Sequence, residues 1–194
     1  MHVINSIKND IEISRHAFDF IKIICNFVEI IIITEDMDTK FVPQYSLDDI
    51  YISPFSEKRV YNSETGKAEY IPLERNQNPT GVKVLDDFIR YISENSNFSR
   101  KAFCNRHGIV SSDLTALCRI LTGMNAEELY YAIRLRLIND LLRYTNLTPT
   151  EVAKRSGANT HQNLCLIIRS EYGCSPRTRR LRIQSKGDAG RYRV

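Results

Sequence analysis

Histidine, cysteine and carboxylate side chains are the first places to look for catalysis or a metal, and in this chain they are scattered. The four histidines, His2, His16, His107 and His161, show no HExxH or comparable ligand spacing. The five cysteines, Cys25, Cys104, Cys118, Cys165 and Cys174, are odd in number and lack a CxxC pair, which reads as thiols in a reducing compartment. Neither GxSxG nor the phosphate-binding GxxxxGK(S/T) occurs. Glu35, Asp36, Asp38, Asp48 and Asp49 do not follow the spacing of a calcium loop and read as solvated turns. His107 precedes Gly108, a place for a helix cap rather than a catalytic base. The expectation is a chain that is not an enzyme and holds no metal or cofactor.

The side chains that do cluster are cations. The net charge of +4 hides an asymmetry. Residues 1–80 hold 8 Lys/Arg and 13 Asp/Glu, and residues 81–194 hold 19 and 10. Arg177, Arg179, Arg180, Arg182, Lys186, Arg191 and Arg193 face a single Asp188 at the C-terminal end. An acidic front and a basic back suggest two functional parts, the second facing a polyanion. The 194 residues suffice for one or two domains with a core of their own. No apolar run reaches the roughly 18 residues of a membrane span, because Asp19, Lys22, Asn26 and Glu29 break the greasiest stretch. With no signal peptide to be read, a cytoplasmic protein is expected.

The elements that would position these cations divide at Leu73–Gly81, a polar stretch with Pro79 and Gly81. Before it, Asn5 to Phe27 has helical spacing and Val28 to Thr34 carries four consecutive isoleucines, as in a buried strand. A strand pair is expected around Lys58–Tyr61 and Ala68–Pro72, turning at Asn62–Lys67 with Gly66. Domains are therefore expected at 1–75 (a small α+β module), 76–82 (linker), 83–183 (helical) and 184–194 (basic tail).

In the helical part, Val84, Phe88, Ile89 and Ile92 mark one helix. Ser99 caps a short helix closed by Gly108, and Ser111 or Ser112 caps a helix ending at Gly123. Asn125 with Glu128 forms a capping box for a long helix lined by Leu129, Ile133, Leu137, Leu141 and Leu142. Thr148 or Thr150 starts a helix ending at Gly157, Asn159 caps the next, and Ser175-Pro176 opens the last. Helix, glycine turn, helix thus occurs twice, at Lys101–Thr122 and Thr150–Tyr172. Each first helix contains a small residue, Ala102 or Ala153, where two helices can cross. The intervening Asn125–Tyr144 would be about 30 Å long, near the roughly 34 Å between successive major-groove faces on one side of B-DNA. An all-helical bundle for protein contact is the other reading of this pattern.

Residues 100–180 resemble the C-terminal DNA-binding domain of AraC/XylS-type transcription regulators without a gap. The matching residues are Gly108, Leu114, Leu117, Thr122-Gly123-Met124 and Glu128, then Arg134-Leu135, Leu141-Leu142 and Thr145. Glu151-Val152-Ala153 with Gly157 and Gly173-Cys174-Ser175-Pro176 leading to Arg180 complete the set. The resemblance implies a mainly α fold: a seven-helix domain with two helix-turn-helix units, preceded by the small α+β module. It implies a bacterial, nucleoid-associated regulator that binds double-stranded DNA through two recognition helices in successive major grooves, with RNA polymerase as a further partner. Three departures stand out. Ala158 replaces a usual Phe, Leu164 and Ile168 replace aromatic anchors, and Leu166 stands where a long basic side chain is common.

On the first recognition helix the family's base-contact positions are Ser112, Thr115 and Ala116, all short. On the second, His161, Gln162 and Asn163 are the better candidates for base edges, since amides suit adenine, and Thr160 and Cys165 are also expected to touch DNA. The second unit is therefore expected to dominate base discrimination. Phosphate contacts are expected from Ser111 and Asn159 at helix starts, and from Arg119, Arg169, Arg177, Arg179 and Arg180. The front module is expected either to dimerise, making a homodimer through residues 1–80, or to act as a reduced sensor. It lacks the length of the family's sugar-binding β domain. Cys25 stands alone and reads as a core thiol, unlike the clustered zinc-bound cysteines that some DNA-repair proteins join to a similar domain. The rival function is a protein-interaction module whose helix-turn-helix domain has lost DNA affinity.

Overall fold

Helices occupy most of the described chain because apolar residues recur every three to four positions between glycine and proline stops. The computed structural model describes residues 43–75, 78–94 and 98–194. The expected helix at Asn5–Phe27 and the isoleucine strand lie outside them. Residues Pro43–Val194 form one compact unit, mainly α with a small sheet. Its elements are α1 (Leu47–Ile50), β1 (Glu57–Asn62), β2 (Lys67–Pro72), α2 (Lys83–Glu94), α3 (Arg100–His107), α4 (Ser111–Thr122) and α5 (Ala126–Tyr144). They continue with α6 (Pro149–Arg155), α7 (His161–Tyr172), α8 (Pro176–Ile183) and β3 (Tyr192–Arg193). Among the described residues of 83–183 there are thus seven helices, α2 to α8. No helix among the described residues is long and apolar enough to cross a membrane.

The hairpin forms where expected, pairing Glu57 with Pro72 through to Asn62 with Lys67. Gly66 takes φ 65° at its turn. Its company is different from the expectation. Strand β1 also pairs with β3, Glu57 opposite Arg193 and Lys58 opposite Tyr192, giving the sheet order β2-β1-β3. The hairpin and the tail therefore lie in the same compact unit as the helices. Phe55 stacks on Tyr192 at 4.6 Å, and both rings meet Tyr144 edge-on. Asp188 is buried and accepts from Arg143 Nε at 2.9 Å and from the Ser185 N–H at 3.0 Å. The C-terminal segment is thus a packed closure, held by a buried carboxylate as well as by strand pairing.

Helix α5 is the spine. Its capping box at Asn125 and Glu128 forms as expected, and Leu129, Ile133, Leu137, Ile138, Leu141 and Leu142 are buried along it. It packs against α2, α4, α6 and α8. Its C-terminal half shares one core with Val152, Ala153, Ala158, Leu164, Ile168 and Cys174. At the other end Phe98 stacks on Tyr130 at 4.2 Å, and Phe88 meets Phe103 at 5.0 Å. Truncating any one of these buried leucines costs about 2–5 kcal/mol, so α5 is a rigid reference for whatever packs on it. The polar stretch before α2 is anchored as well, since the Thr80 N–H and hydroxyl both donate to the buried Asp86.

Candidate nucleic-acid interface

Both helix-turn-helix units are present. In the first, Ser99 caps α3 and Gly108 ends it at φ 65°, a conformation that favours glycine; α4 follows. In the second, Thr148 and Glu151 form a capping box with Pro149 at the first position of α6. Gly157 (φ 74°) and Asn159 (φ 62°) make the turn, and α7 follows. Three local assignments differ from the sequence reading. Val110 stands at the cap position of α4 and makes no side-chain cap, so Ser111 and Ser112 lie inside the helix. Thr160 caps α7 by accepting from the Asn163 N–H. Asn159 occupies the left-handed turn instead, a conformation its side chain tolerates. The small residue at the first crossing is buried Cys104, five positions after the cap like Ala153, whereas Ala102 is exposed.

The outward faces carry most of the residues singled out from the sequence. On α4, Ser112, Ala116 and Arg119 are exposed, and Ser111 and Thr115 are half-buried. Thr115 is engaged locally, donating to the Ser111 carbonyl at 3.0 Å and accepting from Arg100. Asp113 stands exposed in the first turn of α4, accepting from the Ser112 hydroxyl. That carboxylate sits where the amide dipole would otherwise draw a phosphate. The first turn of α7 holds no acidic residue. There Asn159, Thr160, His161, Gln162 and Asn163 are all exposed, as is Arg169 further along. Cys165 is half-buried, its Sγ 3.6 Å from His161 Nε2.

Of the three C-terminal arginines in the expected phosphate set, Arg177 is exposed and Arg179 and Arg180 are half-buried. The other two are corrections to the expected phosphate set. Arg180 Nε donates to the Leu142 carbonyl at 3.0 Å, and its second nitrogen donates to the Leu147 carbonyl. It thereby satisfies one carbonyl in the last turn of α5 and one in the loop that leads to α6. Burial pulls its pKa below the ordinary arginine value. Arg179 donates to Asn139 Oδ1 at 2.9 Å, and its guanidinium lies 3.6 Å from the centre of the Tyr172 ring. Both arginines hold helices together.

Helix α5 fastens both units. Arg100 of α3 bonds Glu127. Arg134 donates to the Gly157 carbonyl in the second turn, Tyr131 donates to Glu171 at 2.8 Å, and Asn139 donates to Tyr172 at 2.7 Å. Burial and the neighbouring Glu171 push the Tyr131 phenol up to about 12, so it remains a donor at any ordinary pH. The sequence reading missed Asn139 and Tyr131 as positioning residues. A polar residue on a mostly apolar helix face was the available signal for Asn139. It also left out Lys154 and Arg155, exposed at the end of α6.

The remaining chemistry-bearing groups are structural. His107 stacks on Phe103 at 4.2 Å with Nδ1 3.9 Å from Asp87; the cap beside it is the Gly108 backbone. Cys104 and Cys118 are buried thiols, and burial pushes Cys118 up to about 12. Among the described residues no three His, Cys, Asp or Glu side chains gather in a metal-binding group.

No family model matches the chain, and no curated protein does. Among solved structures it is similar to the C-terminal domain of AraT, a response regulator from Geobacillus stearothermophilus, at 19% identity and a TM-score of 0.47 over 53% of this chain and 84% of that one. It is similar to the DNA-binding domain of AdpA, a global transcriptional factor solved in complex with a target DNA, at 22% identity and 0.45 over 52% and 88%. It is also similar to the xylose-binding transcription activator XylR, at 16% identity and 0.45 over 58% of this chain. The match spans 29% of the XylR chain. All three are named as regulators or as domains of regulators.

Proposed function

We propose that Lys83–Ile183 is a double-stranded-DNA-binding domain of a transcription regulator of the AraC/XylS type, with α4 and α7 entering successive major grooves. The observation that carries this reading is the paired architecture: two helix–turn–helix units fastened to one rigid helix, each with a polar, exposed second helix. At 19 residues, α5 is about 28 Å long, comparable with the duplex repeat of roughly 34 Å. The family motifs in residues 100–180 point the same way. Base contacts are assigned to Ser112 and Thr115 on α4 and to Thr160, His161, Gln162, Asn163 and Cys165 on α7. Phosphate contacts are assigned to Ser111, Arg119, Asn159, Arg169 and Arg177. No covalent chemistry is involved.

Selection of random genomic fragments by the full chain tests the proposal: enrichment of a common motif about two helical turns long is expected. The second reading, a protein-interaction module, draws on the exposure of Val110, Leu181 and Tyr131. It predicts that no motif is enriched.

A further inference from the structure

We infer that Leu166 reads a base, and that the duplex this chain prefers carries a thymine methyl group against it. This rests on the DNA-binding reading and narrows it. Leu166 lies midway along α7 with 65% of its surface exposed, whereas Leu164 and Ile168 are fully buried. Helical spacing makes Gln162 and Asn163 its neighbours one turn before and Arg169 and Ser170 its neighbours one turn after. All four are exposed and polar. Along the outward face the order is therefore amide, leucine, guanidinium.

That arrangement selects among surfaces. A protein-docking face would surround the leucine with further apolar groups, and here none of its four helical neighbours is apolar. A single apolar group among hydrogen-bonding ones matches the major-groove edge of A·T pairs. There the thymine C5-methyl lies beside the thymine O4 acceptor and the adenine N7 acceptor and N6 donor. The Gln162 or Asn163 amide can pair with the adenine edge while Leu166 covers the methyl of a neighbouring thymine. Arg169, with exposed Lys154 and Arg155 at the end of α6, supplies charge for the flanking phosphates. A leucine at this position gains from the thymine methyl and offers no partner to the cytosine N4 donor, so it favours thymine without a hydrogen bond of its own.

The test uses duplexes selected by the full chain. Each thymine in the protected site is replaced in turn by deoxyuridine, which lacks only the 5-methyl group. At one or two thymines the loss should weaken binding about fourfold, the worth of one buried methyl-sized group. Leu166→Ala, tolerated at an exposed helical position, should still bind yet lose sensitivity at those thymines alone, and Leu166→Gln should shift the preferred base there. If the duplex is bound but no thymine is methyl-sensitive, or Leu166→Ala keeps the wild-type sensitivity, this inference is overturned and the DNA-binding reading stands. If no duplex is enriched at all, both fall.

Discussion

Asn139 of α5 donates to the Tyr172 hydroxyl at 2.7 Å, and its carbonyl oxygen accepts from Arg179 at 2.9 Å. One amide thus fixes the last residue of α7 to α5 and to α8, while the Arg179 guanidinium covers the Tyr172 ring. Replacing Asn139 with Ala leaves a part-buried phenol and a guanidinium without these partners, a loss of about 1–3 kcal/mol. The urea midpoint should fall accordingly. DNA affinity should fall as well, because α7 loses a fixed end; an unchanged midpoint would show that water replaces the amide without cost.

The C-terminal arginines should separate into two classes. Arg180→Ala removes donors from the Leu142 and Leu147 carbonyls and should destabilise the fold by about 2–4 kcal/mol. Arg169→Ala and Arg177→Ala, both at exposed positions, should leave the unfolding midpoint nearly unchanged. Each should instead reduce the slope of log affinity against log salt by about 0.9, the contribution of one phosphate contact. Paired measurements of thermal unfolding and of binding across a salt series check the division. A midpoint loss for Arg177→Ala, or a flat salt response of the parent chain, would contradict it.

Those two classes also mark where the sequence was legible. Periodicity, the capping box at Asn125 and Glu128, and the glycines at 108, 123, 157 and 173 placed α2 to α8 nearly residue by residue, because these signals are local. The caps at Val110 and Thr160 were missed by one residue, within the ambiguity of adjacent Ser, Asn and Thr. Other features depend on distance along the chain. Nothing near Arg180 announces that its partners lie 38 and 33 residues earlier. Likewise Glu57 meets Arg193 only in the folded sheet. A basic tail with one aspartate reads as solvated charge until Asp188 is seen buried beneath Arg143.

Asp188 gives a pH dependence with a defined sign. The Arg143 guanidinium, then the Ser185 N–H, hold its carboxyl below the usual aspartate range. A carboxyl depressed in the folded state stabilises it fully above the unfolded pKa of about 3.9, and that stabilisation fades as pH falls through the folded value. Urea midpoints of the parent chain and of Asp188→Asn should therefore differ most near neutrality and converge below about pH 4. With no tryptophan in the chain, circular dichroism is the suitable readout. A gap that persisted unchanged into strong acid would assign the loss to packing instead of charge.

On the proposed DNA-binding function α4 and α7 should contribute unequally, and Asp113 offers a way to show why. Helix α4 begins with an uncapped Val110 and an exposed carboxylate in its first turn, so its amide dipole already faces a negative charge. Helix α7 begins with Thr160 capped and no acid. Systematic base swaps across the bound site should accordingly cost about 1–3 kcal/mol per position under α7 and less under α4. Asp113→Asn should slightly weaken the isolated fold, by about 0.3–1 kcal/mol for the lost dipole interaction. DNA binding should strengthen at the same time, by about threefold to tenfold at low salt, where a like charge near a phosphate is least screened. The gain should shrink as salt rises, and the base preferences under α7 should stay as they were. Weaker binding by Asp113→Asn would mean that the carboxylate contacts a base, most simply a cytosine amine, and would move sequence reading to the first unit.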